Sequence, residues 1–500
     1  MNILSLFVLV PVLTIMGIMF TKDLKGARLV SAVGMGIQLA LAAFLVLYYL
    51  SVRGAGNLHE MVLTSDYNWF PSLNIHYFIG VDGISVAMIA LTAIVIFAGI
   101  FASWEMEFLP REFFTTLILL VTGVFGFFIS LDLFTLFLFY ELAVIPMYLL
   151  IGIWGSGPKE ASAMKLTLML MGGSALLLVG ILGIYFNSAP NGGAYTFNIL
   201  QIAKIHIPIA AQRFFFPLTF VGFGVLAALF PLHTWSPSGH ASAPTAVSML
   251  HAGVLMKLGA YGVFRIAIFL MPEAAGQMAW IFIILTSISV VYGALGAIMQ
   301  KDLKFINAYS SVSHVGLILF ALLMMNKIAL DGAILQMISH GLVTALFFAL
   351  IGMIYGRTHT RDIREMGGLM KVIPFLAVVY IIAGFASLGL PGFSGFVAEM
   401  TIFVGAFQHS DLFHRVASVI VVSSIVITAV YMLRVVGRIL LGPIKNEAHL
   451  NLRDASWYEK LSTITLLIAI VGIGVLPLWL SDTILNSLQP IMEKLTAYLH

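Results

Sequence analysis

Apolar residues run through this chain in long, nearly unbroken blocks, separated by short connections that hold most of the Lys, Arg, Asp and Glu. A membrane-crossing helix needs about 20 such residues. Blocks of that order lie near 2–21, 29–50, 78–103, 112–130, 132–154, 162–186, 213–237, 243–270, 276–299, 303–326, 329–356, 372–407, 413–440 and 460–481. The pattern predicts an all-α polytopic membrane protein with about fourteen transmembrane helices. Barrel strands would be about ten residues of alternating polarity, and these runs are continuous. No basic residue precedes Lys22, so the first block lacks the charged start of a cleaved leader and reads as a retained helix.

Two of the predicted spans are interrupted. "LFPLHTWSPSGHASAPTAV" (229–247) cuts the seventh and "SLGLPGFSGF" (387–396) cuts the twelfth with helix-breaking residues. Irregular backbone at membrane depth is tolerated only where it is buried in protein or lines a water-filled cavity. The breaks fall at the fourth member of spans 4–8 and the fourth member of spans 9–13. A five-helix unit that repeats must return upside down, which is the inverted-repeat plan of many transporters. The expected division is 1–111 for spans 1–3, 112–270 and 271–441 for the two inverted five-helix repeats, and 442–500 for span 14 and a tail.

Composition narrows the function classes. The 500 residues are 61% hydrophobic and 9% charged, so no soluble domain of any size is expected. With no cysteine the chain can ligate no iron–sulfur cluster and form no disulfide, and any electron transfer happens elsewhere. "GSGPKEAS" and "GLPGFSG" fail as nucleotide fingerprints, and nothing indicates nucleic acid. No cofactor is expected on this chain. Counted over alternate connections, seventeen Lys and Arg fall in one set and six in the other. By the positive-inside rule the rich set is cytoplasmic and both termini are outside.

Against this background a few ionisable residues stand out. Glu141 lies mid-span in "LFLFYELAVIPMYLL", Lys257 in "HAGVLMKLGAYGVF" and Glu399 just beyond the second break in "GFVAEMTIFVGAF". Each costs about 2.5–3.5 kcal/mol at mid-bilayer on insertion scales, so something must offset it. One reading is a structural ion pair or a protonated glutamate joining helices. The other, which we favour, is a stepwise proton path. Gln336, His340 and Thr344 recur at spacing four and stack on one helical face, and Ser310 and His314 share that spacing. For each histidine, a satisfied core residue and a proton carrier stay equally open. His233, His240 and His251 lie seven and eleven apart across a broken loop, which is not the spacing of a helical metal site, and no metal is expected.

"FYELAVIPMYLLIGIWG", "FPLHTWSPSGHASAPTAVSMLHAGVLMKLGAYG", "KDLKFINAYSSVSHVG", "ILQMISHGL", "RTHTRDIREMGGL" and "GLPGFSGFVAEM" together resemble the antiporter-like subunits of proton-pumping NADH:quinone oxidoreductase, respiratory complex I, of the M type. The resemblance runs from span 3 through span 13. It implies a proton channel driven by quinone reduction in partner subunits, in which Glu141 is the span-5 carboxylate, Lys257 the central lysine, His314 and His340 the bridging residues, and Glu399 the exit-side group. Partners would be other membrane-arm subunits, of the L and N types, in a bacterial inner membrane. L-type subunits carry a long C-terminal lateral helix, and N-type and Mrp subunits usually have lysine where this chain has Glu399.

The resemblance also implies a lysine five residues before Pro231, paired with Glu141, but Leu226 stands there. Lys165 or a protonated His233 takes over, or Glu141 is neutral at rest, or this copy gates differently. The alternative function is a subunit of an Mrp-type cation/proton antiporter, or of a complex I relative fed by another electron donor.

Overall fold

In the computed structural model, which describes residues 2–56, 59–189 and 193–499, the helices are α1 (Leu6–Met19), α2 (Leu24–Gly54), α3 (Gly83–Ala102), α4 (Pro110–Ile129), α5 (Leu133–Trp154), α6 (Lys159–Phe186) and the single turn α7 (Ile199–Ile202). They continue as α8 (Ile209–Leu226), α9 (Trp235–Ser242), α10 (Thr245–Leu250), α11 (Met256–Gly262), α12 (Pro272–Met299), α13 (Leu303–Leu323) and α14 (Lys327–Thr358). The chain ends with α15 (Pro374–Ser387), α16 (Ser394–Ala406), α17 (Leu412–Leu440), α18 (Trp457–Val475) and α19 (Leu478–Leu499).

Among the described residues, twelve helical stretches are long and apolar enough to cross a membrane. The shorter apolar stretch Ile3–Met19 and the broken pair α15/α16 bring the crossings to the expected fourteen. Both interruptions are where the Pro and Gly residues place them: span 7 is α8 followed by α9, and span 12 is α15 followed by α16. Starts are set by side-chain caps that satisfy free N–H groups of the first turn. Asp132 accepts from Phe134 and Thr135, Asp302 from Lys304 and Phe305, and Asn326 from Ala329.

Two elements lie outside the predicted pattern. Residues 78–81, assigned above to span 3, are the end of a strand. β1 (Val62–Phe70) and β2 (Ile75–Val81) form an antiparallel hairpin with Tyr67 opposite Tyr77, turned at Asn74 in the left-handed region (φ 54°). Asp82 then caps α3 through Ser85 N–H (2.8 Å), so the helix cannot begin earlier. Likewise span 14 ends at Val475, before Pro477, and what reads as a tail is the 22-residue helix α19. Its buried positions Leu480, Ile484, Leu488, Ile491 and Leu495 recur at three and four, one apolar stripe on an otherwise polar helix. The Ser487 hydroxyl accepts from Gly83 N–H (2.8 Å) and bonds Tyr49 OH (3.1 Å), while Asn2 donates to Leu63 O (2.5 Å). Both ends of the chain are therefore fixed on the hairpin face of the bundle.

The best-buried stretches are spans 8, 10 and 11, at 100%, 94% and 94%. Helices that see so little lipid have no need of an apolar surface all round, and these three carry Lys257, His314 and His340.

Candidate functional site

Span 8 is not a plain α-helix. Wide π turns at His251–Leu255 and Val263–Ile268 flank α11, which carries Lys257. Such turns shift carbonyls out of the regular ladder and recur at functional positions. Lys257 is fully buried; its Nζ donates to the Ala252 carbonyl and lies 2.8 Å from His340 Nδ1. An ammonium can only donate, so with Lys257 protonated Nδ1 is the acceptor and His340 holds its ring proton on Nε2. The approach depends on a glycine pair. A Cβ on Gly341 would lie 2.6 Å from Gly253 O, so only Gly341 lets α14 come this close to the π turn next to Lys257.

From His340 the polar line continues sideways through the bundle. The rings of His340 and His314 are stacked with centroids 5.3 Å apart at 29°. His314 Nδ1 is 3.3 Å from Gln336 Nε2 and 3.5 Å from Glu399 Oε1. The predicted stripe on α14 is thus used along its length: Gln336 meets His314, His340 meets Lys257, and Thr344 Oγ1 is 3.1 Å from Ser311 Oγ and 3.4 Å from Asn307 Nδ2. Ser310 instead faces α17, 2.7 Å from Tyr431 OH.

Glu399 is buried beside a cavity of about 10 Å³ whose lining includes Ser313, His314, Ser387, Ser424 and Thr428, room for about one water. The break in span 12 makes space for its carboxylate. Gly389 has φ +64°, and a Cβ there would lie 2.8 Å from Glu399 Oε2. Ser339 and Ser394, 2.8 Å apart, hold the start of α16 against α14.

The first-half carboxylate is placed differently. Glu141 is half-buried on α5 and near Ser174 of α6, whose hydroxyl donates to Met171 O (3.2 Å), and its Oε1 has no partner among the described residues. Neither Lys165 nor His233 forms an ion pair with it, and no cation does among the described residues. Lys165 is exposed on α6. His233 is buried in the break of span 7, with Phe230 (5.7 Å) and Tyr292 (4.9 Å) against its ring and no hydrogen-bond partner for Nδ1 among the described residues. Leu226, the last residue of α8, is fully buried.

Three features escape the sequence. His240 and His251 are paired across the bend between α9 and α10, ring centroids 4.3 Å apart, and all four ring nitrogens lack a hydrogen-bond partner among the described residues. The bend at Ala243–Pro244 joins them, which a linear spacing of eleven conceals. Lys304, counted above only as a topology charge, is buried and donates to Ala243 O (2.6 Å). Arg361 donates to Ala241 O (2.7 Å), so two cations satisfy the carbonyls where α9 ends. Arg265, which the charge count omits, forms a fully buried ion pair with Asp82 and bonds Tyr261 OH (3.3 Å). The spacing of four from Lys257 to Tyr261 to Arg265 was the available signal.

Fourteen crossings, two of them broken, around a buried file of lysine, histidine and glutamate define a membrane protein of the ion-transporter class. Residues 130–428 match the family described as NADH:quinone oxidoreductase/Mrp antiporter, transmembrane. The chain is 33% identical over 479 residues to NAD(P)H-quinone oxidoreductase chain 4 1 of Synechococcus sp. (strain JA-3-3Ab), covering 95% of this chain and 90% of that one. A chain of respiratory complex I from Thermus thermophilus with bound NADH superposes with a TM-score of 0.88 at 25% identity, over 99% of this chain and 100% of that one. A chain of the Mrp complex from Dietzia sp. DQ12-45-1b shares the fold, with a TM-score of 0.84 at 23% identity over 100% and 99%. The protein belongs to the NADH:quinone oxidoreductase/Mrp antiporter transmembrane family.

Proposed function

We propose that this chain is a proton-conducting membrane-arm subunit of a complex I type quinone oxidoreductase, with redox chemistry confined to its partners. The observation that carries the reading is the continuous contact from Lys257 to His340 (2.8 Å), His314 and Glu399. Each of these groups can hold a proton, and each stands next to another that can take it.

In this reading a proton enters from the cytoplasmic side and reaches Glu141, whose unpaired oxygen is free to accept it. His240 and His251 join the break in span 7 to the segment that carries Lys257. Lys257 then donates to His340 Nδ1 as His340 passes its Nε2 proton on, and His314 relays toward Glu399 and the water-sized cavity beside it. A change of charge at one member shifts its neighbours because a low-dielectric interior strengthens Coulomb interactions. Quinone reduction elsewhere would act on this chain through that coupling.

The same reading divides the chain into spans 1–3, two inverted units around 112–270 and 271–441, and a C-terminal remainder. It puts the protein in a bacterial cytoplasmic membrane with both termini outside, beside subunits of the L and N types. The distribution of Lys and Arg supports the orientation, and the common docking of both ends on the hairpin face supports a shared side.

The unpartnered Glu141 supports a second reading, an Mrp-type cation/proton antiporter subunit, because a carboxylate without a fixed cation is open to a mobile one. Proton uptake and NADH oxidation measured together in inverted membrane vesicles separate the two. If both fall together in Glu141→Gln, the complex I reading stands. If only sodium-dependent proton exchange is lost, the antiporter reading replaces it.

A further inference from the structure

A further cavity lies off the proton path. It is a crevice of about 510 Å³ between α2, α3, α14, α18 and α19, with a mostly aliphatic lining that includes Ala90, Ile94, Ile338, Leu342 and Ile473. Along α3 it runs from Gly83 to Ile94, and along α18 from Thr465 to Leu476 just past the helix end. At 1.5 Å per residue each wall is about 17 Å long. That is the depth of one leaflet, since the hydrocarbon core is about 30 Å thick.

The crevice ends at a polar layer on the hairpin face, where Tyr49 OH, Ser487 Oγ and Gly83 N–H bond one another. Beyond this layer is a second cavity of about 340 Å³ lined by Arg53, Glu60, Asn486, Ser487, Gln489 and Glu493. Arg53 Nε donates to Tyr49 OH (2.9 Å), which ties the cup directly to the slot. An apolar slot one leaflet deep, with a cup of mixed charge on the other side of the Tyr49–Ser487 layer and Lys494 close enough to act on Glu60, has the shape and charge pattern of a zwitterionic amphiphile. A phosphate suits Arg53 and an ammonium suits Glu60 and Glu493. A quinone ring offers no charge to set against these three.

We infer that this crevice binds one zwitterionic phospholipid with an amine headgroup, an acyl tail in the slot and the headgroup in the cup. The bound tail acts on the transporter through α14. Ile338 and Leu342 lie two residues to either side of His340, and Leu91 of α3, also in the lining, stands against Gly341. The tail therefore forms the packing layer behind the Lys257–His340 contact, and its removal lets α14 relax away from span 8.

The assembled complex, reconstituted in nanodiscs of equal phosphatidylethanolamine and phosphatidylglycerol, tests this with a phosphatidylethanolamine that carries a diazirine on its tail. Gly472 lines the slot with open space where a Cβ would go, so Gly472→Phe fills the slot without a backbone clash. The expected result is label on residues 465–476 that Gly472→Phe removes. Arg53→Glu should weaken labelling about tenfold, the loss of one charge-assisted contact, and the matching phosphatidylglycerol probe should label weakly. Arg53→Glu leaves the slot intact, so it reads the headgroup site even if Gly472→Phe fails to assemble. Equal labelling by both lipids would overturn the inference in favour of ordinary bilayer contact. No labelling, with cross-links from position 472 to a neighbouring subunit or retention of quinone alone, would also overturn it.

Discussion

His340 is the hinge of the proposed path, because it touches both Lys257 and His314. Replacing it with alanine leaves the Lys257 ammonium with the Ala252 carbonyl as its one hydrogen-bond partner among the described residues and opens a gap to the His314 ring. A hydrogen bond to a charged group is worth about 1.5–3 kcal/mol. If that loss falls on the transfer step, the rate drops about 10- to 150-fold. His340→Gln separates the two roles, since its amide oxygen can accept from Lys257 but cannot pass a proton through. The assay is proton uptake by inverted vesicles with donor oxidation followed in the same cuvette. His340→Ala and His340→Gln should both lose most of their uptake, with assembly of the complex unchanged in His340→Gln. Wild-type uptake in His340→Gln would refute the relay and leave His340 as a mere acceptor for Lys257.

Three further predictions follow from other parts of the structure. Gly389→Ala puts a side chain 2.8 Å from Glu399 Oε2 at a positive φ, so proton uptake should fall by more than half while Gly392→Ala, with φ +95° but open space around it, keeps more activity; equal loss in both would point to backbone strain alone. Asp82→Asn leaves Arg265 buried without its counter-ion and should destabilise the protein by about 3–5 kcal/mol, whereas the double change Asp82→Leu with Arg265→Met should recover most of it; an unmoved thermal midpoint in the single variant would show the pair to be dispensable. Ser174→Ala removes the hydroxyl next to Glu141 and should slow uptake without affecting assembly, and unchanged uptake would mean that Glu141 does not load from this side.

Much of this was readable from residue patterns because the membrane enforces simple rules. Apolar run length fixes the crossings, since a lipid-exposed backbone must be helical. Pro and Gly locate both broken spans, and spacing four puts Gln336, His340 and Thr344 on one face. Features that depend on distant contacts were not readable. The π turns around Lys257 have no residue signature, and the His240–His251 pair exists only because the bend after Ser242 folds α9 against α10. The hairpin is hidden because β2 is mostly apolar and merges with the start of α3. Helix α19 is a different case. Its stripe from Leu480 to Leu495 is plain in the sequence, but a search for continuous apolar runs passes over a helix that buries only one side. Nothing among the described residues stands in for the cation missing at Leu226.

The most direct measurement is donor-driven proton uptake by Lys257→Ala and wild type at equal content of assembled complex. Lys257 is the junction between the two halves of the path, so uptake and donor oxidation should fall together to near background in the variant. Uptake per electron equal to wild type, at an undiminished rate of donor oxidation, would contradict the account and leave the buried lysine a structural role.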